Sequence, residues 1–156
     1  MSEQTRSTRN GSGAAGPREV LVSGDAKGFT QEIIAGPHQL TADEPKGVGG
    51  NDEGPTPYDF LLAALGSCTS ITVTMYAQRK GWPLQGVHTR LRHSRIHADN
   101  CAECETKEGK LDHIELEVSL EGPLSDEQRT KLLEIAEKCP VHRTLVTENI
   151  ISIRAV

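Results

Sequence analysis

Residues 56–81 read TPYDFLLAALGSCTSITVTMYAQRKG, one long helix bracketed by its own start and stop signals. Thr56 can cap the N-terminus, and Pro57 suits the first helical position, where a missing N–H costs nothing. Asp59, three residues after Thr56, approaches a capping box. Arg79 and Lys80 favour the negative end of the helix dipole, Gly81 supplies a stop and Pro83 follows. Phe60 to Ala77 carries no charge at all. The stretch reaches membrane length, but Gly66, Ser67, Thr69, Ser70, Thr72 and Thr74 make it too polar for a lone transmembrane span. A helix that is apolar or small on every side is one that is covered all round. One small sheet covers only one side of it, so a second layer or, as the preferred reading, a dimer partner is expected on the other.

Upstream of this helix, Val20 to Val22, Phe29 to Ala35 and His38 to Ala42 read as three strands, turning at Gly24 to Gly28 and at Gly36-Pro37. Pro45 to Pro55 is a loop rich in Gly and Pro. Downstream, Val87 to His97 reads as a strand. So does Ile114 to Leu120, with Ile114, Leu116, Val118 and Leu120 on one face. Ser125 caps a second helix, with Gln128 three residues on and Leu132, Leu133, Ile135 and Ala136 as its apolar stripe. Pro140 ends that helix, because the residue before a proline avoids helical geometry. Val141 to Val146 reads as a short restart with Cys139 at its N-cap, and Ile150 to Val156 as a closing strand. The expected fold is α+β in the order βββ–α–ββ–α–β.

The chain of 156 residues suits one domain, taken as residues 19–156. Residues 1–18 are rich in Gly, Ser, Thr and charge and read as a disordered tail without a signal-peptide core. A cytoplasmic, reducing location is expected, where cysteines serve catalysis or metal binding more often than structural disulfides. Aromatics make up 3% of the chain, so the core must rest on Leu, Ile, Val and Ala. The net charge of −5 argues against a nucleic-acid or anionic-membrane partner. Arg90, Arg92 and Arg95 alternate along one strand and read as a solvated face.

Two cysteines carry the chemical reading. Cys68 lies in the middle of the long helix, and its plain alternative is a buried core cysteine. Cys139 lies in Cys139-Pro140-Val141-His142, where a helix start would stabilise a thiolate; its plain alternative is a small filler at a helix junction. Together they suit a thiol peroxidase, in which one thiolate attacks an O–O bond and becomes a sulfenic acid. A second thiol then condenses with it to a disulfide. Such a bond requires Cα atoms within about 7 Å, which spacing along the chain does not show.

The run Gly54-Pro55-Thr56-Pro57-Tyr58-Asp59 through Leu65-Gly66-Ser67-Cys68 resembles the central-helix motif of the OsmC/Ohr family, the osmotically inducible and organic-hydroperoxide-resistance proteins. Cys139-Pro140-Val141-His142 resembles that family's second-cysteine motif. Ala35-Gly36-Pro37-His38 and Asp43-Glu44-Pro45 are similar to it as well. The resemblance implies an intertwined homodimer with antiparallel sheets wrapped around long central helices. It also implies Cys68 as the peroxidatic and Cys139 as the resolving thiol, organic hydroperoxides as substrates and a dithiol reductant, with no cofactor required. The family's peroxidases carry a Glu ten residues before the reactive cysteine, and here that position is Tyr58. Asp59 follows one residue later, as a cap or as the catalytic carboxylate. The family also uses an N-terminal Arg, for which Arg18 is the candidate nearest the first strand. The alternative is a catalytically weak protein of the same fold that binds a small molecule or metal.

Cys101-Ala102-Glu103-Cys104 is a CxxC among His93, His97 and His113. Zinc held by Cys101, Cys104 and His97, with His93 as a fourth ligand, is one reading. A redox pair and no role at all are the others. Strand residues four apart lie about 13 Å from one another, so His93 and His97 can share a metal only if the chain turns. His142, three residues after Cys139, is a candidate helper of thiolate formation or a plain capping histidine.

Overall fold

The computed structural model of the protein describes residues 19–100 and 108–155. They divide into two compact units at Gly54 and Pro55.

The first unit is an antiparallel meander of β1 (Val20–Ser23), β2 (Gln31–Ala35) and β3 (His38–Ala42). Val20 pairs with Ala35, and Gln31 with Ala42. The loop that follows, with one 3₁₀ turn at Lys46–Val48, is tied down by Asp43. This carboxylate is 1% exposed. It accepts the backbone amides of Glu44 at 2.8 Å, Asn51 at 3.0 Å and Glu53 at 3.2 Å, and the Thr30 hydroxyl at 3.3 Å. Burial alone would raise its pKa; the three amides and the hydroxyl outweigh that and hold it below the usual carboxylate value.

The second unit is built on α1 (Pro57–Lys80). Its capping box is complete. The Asp59 amide donates to Thr56 Oγ1 at 3.2 Å, and the Thr56 amide donates to Asp59 Oδ2 at 2.9 Å. Gly81 ends the helix in the left-handed conformation, φ +65°, which suits a residue without Cβ. Then come β4 (Gly86–His97) and β5 (Lys110–Glu121), a long antiparallel pair with Gly86 opposite Glu121 and His97 opposite Lys110. The arginines of β4 are all exposed, Arg90 and Arg92 on one face of the strand and Arg95 on the other. Arg92 reaches Glu117 at 2.9 Å and Arg95 reaches Asp112 at 3.4 Å.

Next is α2 (Asp126–Ala136), capped by Ser125 and Gln128. Arg129 secures its approach by donating to the Leu120 and Gly122 carbonyls, both at 2.8 Å. Last is α3 (Pro140–Val146), with Cys139 at its N-cap. The core joins Val73 and Ala77 of α1 to Leu124, Leu132 and Ala136, flanked by Trp82, Val87, Val118 and Leu120.

One expectation is corrected. The order is βββ–α–ββ–α–α, because residues 150–155 form no strand. Ile150, Ile151 and Ile153 are 91%, 86% and 95% exposed. A strand exists only where a sheet edge accepts its backbone hydrogen bonds, and this segment pairs with no strand among the described residues. The described residues cover one side of α1. The buried positions Leu65, Thr69, Val73 and Ala77 fall four apart on one stripe, joined by Gly66, while Ile71 and Met75 remain exposed. The buried stripe faces β4, α2 and α3. By length and composition alone α1 also qualifies as a membrane span.

Candidate functional site

Local sequence places each thiol. Gly66 lets β4 pass close to α1: a Cβ there would stand 2.7 Å from Leu91 Cδ1 and 3.0 Å from Thr89 Oγ1. Cys68 follows two residues later, part-buried on the same helix. The α2 helix stops before Pro140, which leaves Cys139 fully buried at the junction with α3. There the His142 amide donates to Cys139 Sγ at 3.4 Å.

The fold brings the two thiols together as neighbours, both reduced. They are not equivalent. Burial pushes the Cys68 thiol up, and the neighbouring Cys139 pushes it further. The Val141 amide and the Thr72 hydroxyl pull it down without reversing the rise. Burial also acts upward on Cys139, but the Cys68 S–H, the His142 amide, the Thr69 hydroxyl and the Val141 amide together bring it below the ordinary thiol value. Of the two, Cys139 is therefore the more acidic thiol.

A cavity of about 480 Å³ is lined from α1, β5, α2 and α3, with neither cysteine in its wall. Leu65, Ile114, Leu116, Leu133 and Leu145 make most of its apolar wall, and Asp112, Glu137 and His142 supply polar groups. Leu65 precedes Cys68 by three residues and His142 follows Cys139 by three, so the wall continues into both segments that carry sulfur. The His142 imidazole donates from Nδ1 to the Glu137 carbonyl at 2.7 Å. A carbonyl only accepts, so the proton sits on Nδ1 and the ring caps the end of α2. What reaches the Cys139 sulfur from His142 is its backbone N–H.

The other sequence candidates fall elsewhere. Asp59 is engaged in the capping box, where the Thr56 hydroxyl and amide lower its pKa, and it lies about 13 Å along the helix from Cys68. Tyr58 stacks on His93, with ring centroids 4.4 Å apart and planes at 18°. His93 donates from Nε2 to Asp112 at 2.9 Å. His97 closes β4 opposite Lys110. Arg18, Cys101 and Cys104 lie outside the described residues, as does the tail of residues 1–18. Among the described residues no three His, Cys, Asp or Glu side chains gather as metal ligands.

Sequence reasoning passed over Thr69 as one of several helix hydroxyls. Its fully buried Oγ1 has no hydrogen-bond partner of normal geometry. The only signal in the sequence is its place beside Cys68 on the inward stripe.

The family described as OsmC-like protein matches residues 49–154 of the chain. No curated protein matches it in sequence. Solved structures match it in fold. An OsmC-like protein from Mycoplasma pneumoniae superposes with a TM-score of 0.64 at 20% identity, over 85% of this chain and 89% of that one. An organic hydroperoxide resistance protein OsmC from Legionella pneumophila gives 0.62 at 19%, over 86% and 92%. An organic hydroperoxide resistance protein from Elizabethkingia anophelis gives 0.63 at 17%, over 85% and 90%. At these identities the likeness is one of fold.

Proposed function

The chain belongs to the OsmC-like protein family, and on that premise we propose that it is a cytoplasmic thiol peroxidase that reduces organic hydroperoxides in oxidative-stress defence. The observation that carries this reading is the pairing of two reduced thiols, one on α1 and one at the α2–α3 junction, on the segments that also supply Leu65 and His142 to the wall of a largely apolar cavity. The names of the Legionella and Elizabethkingia proteins point the same way.

With Tyr58 in place of a carboxylate, the sulfur chemistry rests on the two thiols. Cys68 loses its proton to solvent and is left as a thiolate. That thiolate attacks the distal peroxide oxygen. The O–O bond breaks, Cys68 becomes a sulfenic acid, and the alkoxide leaves with a proton from solvent as the alcohol. The Cys139 thiol then condenses with the sulfenic acid, giving the Cys68–Cys139 disulfide and water. A cellular dithiol returns both sulfurs to the reduced state. The apolar wall favours alkyl or aryl hydroperoxides over hydrogen peroxide, because only the former bury apolar area there.

A second copy of the chain is the proposed partner. Ile71 and Met75 on the outer face of α1, and Ile150, Ile151 and Ile153 beyond α3, are the apolar surface it would cover.

The test is the rate of Cys68 oxidation by cumene hydroperoxide against hydrogen peroxide, followed by mass spectrometry of the product. Faster oxidation by the organic peroxide with a Cys68–Cys139 bond is the expected result. Oxidation no faster than that of a free thiol would overturn the reading. It would favour a binding module that uses the same cavity, the reading to which Tyr58 at the carboxylate position lends support.

A further inference from the structure

A hydroxyl buried in a helix normally has an outlet in the carbonyl three or four residues earlier. In α1 Thr72 uses it, donating to the Cys68 carbonyl at 2.8 Å, and Ser67 does the same toward Ala64 at 3.2 Å. Thr69, between them, does not. It is 0% exposed, its Oγ1 makes no hydrogen bond of normal geometry, and its hydroxyl is among the groups set beside the fully buried Cys139 sulfur. A buried hydroxyl without a partner is a standing destabilisation, and a neutral thiol relieves little of it because sulfur is a weak acceptor. A thiolate is a strong one.

We infer that Thr69 is a positioning residue whose hydroxyl is kept off the helix backbone to donate to Cys139 when that sulfur is ionised. The groups that meet Cys139 are Thr69 and the Cys68 thiol from α1 and the Val141 and His142 amides from α3; of these only Cys68 is titratable. Glu137 and Lys138, its chain neighbours, are exposed.

The consequence in turnover rests on the disulfide cycle proposed above. When a dithiol reductant attacks Cys68 of the Cys68–Cys139 bond, a new bond forms between the reductant and Cys68. The old S–S bond breaks, and Cys139 departs with the electron pair as a thiolate. The Thr69 O–H receives that charge, which speeds departure, since a better-stabilised thiolate leaves faster.

The test does not need peroxide. Reduced wild-type, Thr69→Val and Thr69→Ser proteins are alkylated with iodoacetamide across the pH range in which thiols titrate, and each cysteine is read by mass spectrometry. Thr69→Val should shift the Cys139 profile to higher pH and slow its alkylation at neutral pH roughly tenfold, the worth of one hydrogen bond to a charged group. Thr69→Ser should restore it. Thermal melts should show Thr69→Val no less stable than wild type, because the unpaired hydroxyl is gone. Thr69→Ala gives the same readout should valine not fit. A Cys139 profile that ignores the loss of the hydroxyl, or a serine variant that behaves like valine, would overturn the inference. A protein inert to hydroperoxides that still shows the shift would keep the inference and sink the peroxidase reading instead.

Discussion

Asp43 and Cys139 are two buried acceptors met by backbone amides, and the molecule uses them in opposite ways. Asp43 takes three amides and the Thr30 hydroxyl, and the loop to Glu53 closes around it. Cys139 takes the His142 amide at 3.4 Å and meets the Val141 amide and the neighbouring thiol, beside a hydroxyl that makes no hydrogen bond of normal geometry. A carboxylate is ionised at neutral pH before any help arrives, so amides around it only add stability. A thiol ordinarily ionises above neutrality, so the same help changes how much nucleophile exists. A fully satisfied acceptor is a staple, whereas a partly satisfied one of the right acidity is a reagent.

The largest effect that could break this contrast lies at the sulfurs. Cys68→Ser should abolish peroxide turnover with the melting temperature nearly unchanged. Cys139→Ser should allow one turnover and leave a Cys68 sulfenic acid, trapped with a dimedone-type probe. Multi-turnover activity in the Cys139 variant would make the two acceptors alike after all.

Asp43→Asn should do the reverse, keeping activity per folded molecule while lowering the melting temperature. The pH dependence follows from the lowered pKa. A depressed carboxylate contributes stability above its unfolded pKa, and that contribution drains away as pH falls through the folded value. The melting-temperature gap between wild type and variant should therefore be full at neutral pH and shrink in acid below the usual carboxylate range. A gap that is constant with pH would mean that Asp43 acts by shape alone.

Cys68→Ala removes an S–H donor from Cys139, so the Cys139 alkylation profile should move to higher pH. The smallest change is expected at His142. Its ring caps α2, and its backbone amide serves the sulfur. His142→Ala should leave Cys139 reactivity within about twofold, the scale of an ordinary surface substitution. A tenfold loss would put the imidazole, rather than the amide, on the sulfur.

Much of the fold was legible because its signals are local. Thr56, Pro57, Asp59 and Gly81 announce α1, and Ser125 with Gln128 announces α2, since a cap needs only its own four residues. Pro140 marks the α2–α3 junction for the same reason. Residues 150–155 show where that logic fails. Their apolar residues suit a strand, but a strand also needs an edge to join, and no local signal names one. Cys68 and Cys139 were legible as types at a suggestive spacing, and their meeting was not, because contact across 71 positions belongs to the packing of α1 against α3. Thr69 was the least legible. Nothing in a run of Ser and Thr says which hydroxyl will be left unpaired, and that depends on which side of the helix receives the second sulfur.

The bare backbone at Gly66 has one more consequence. It sets the α1 backbone directly against the Leu91 and Thr89 side chains of β4, and it lies half a turn from Cys68. The sheet thus acts as a depth gauge for the thiol. Thr89 is stiff at its own branch point, so a single methyl added at residue 66 must lift the helix or displace Leu91. A disulfide tolerates little error in Cα separation. The tolerance of the sulfur chemistry is therefore set on a strand that contributes no sulfur, and wear at that contact would register as a mistimed redox cycle before it registered as an unfolded protein.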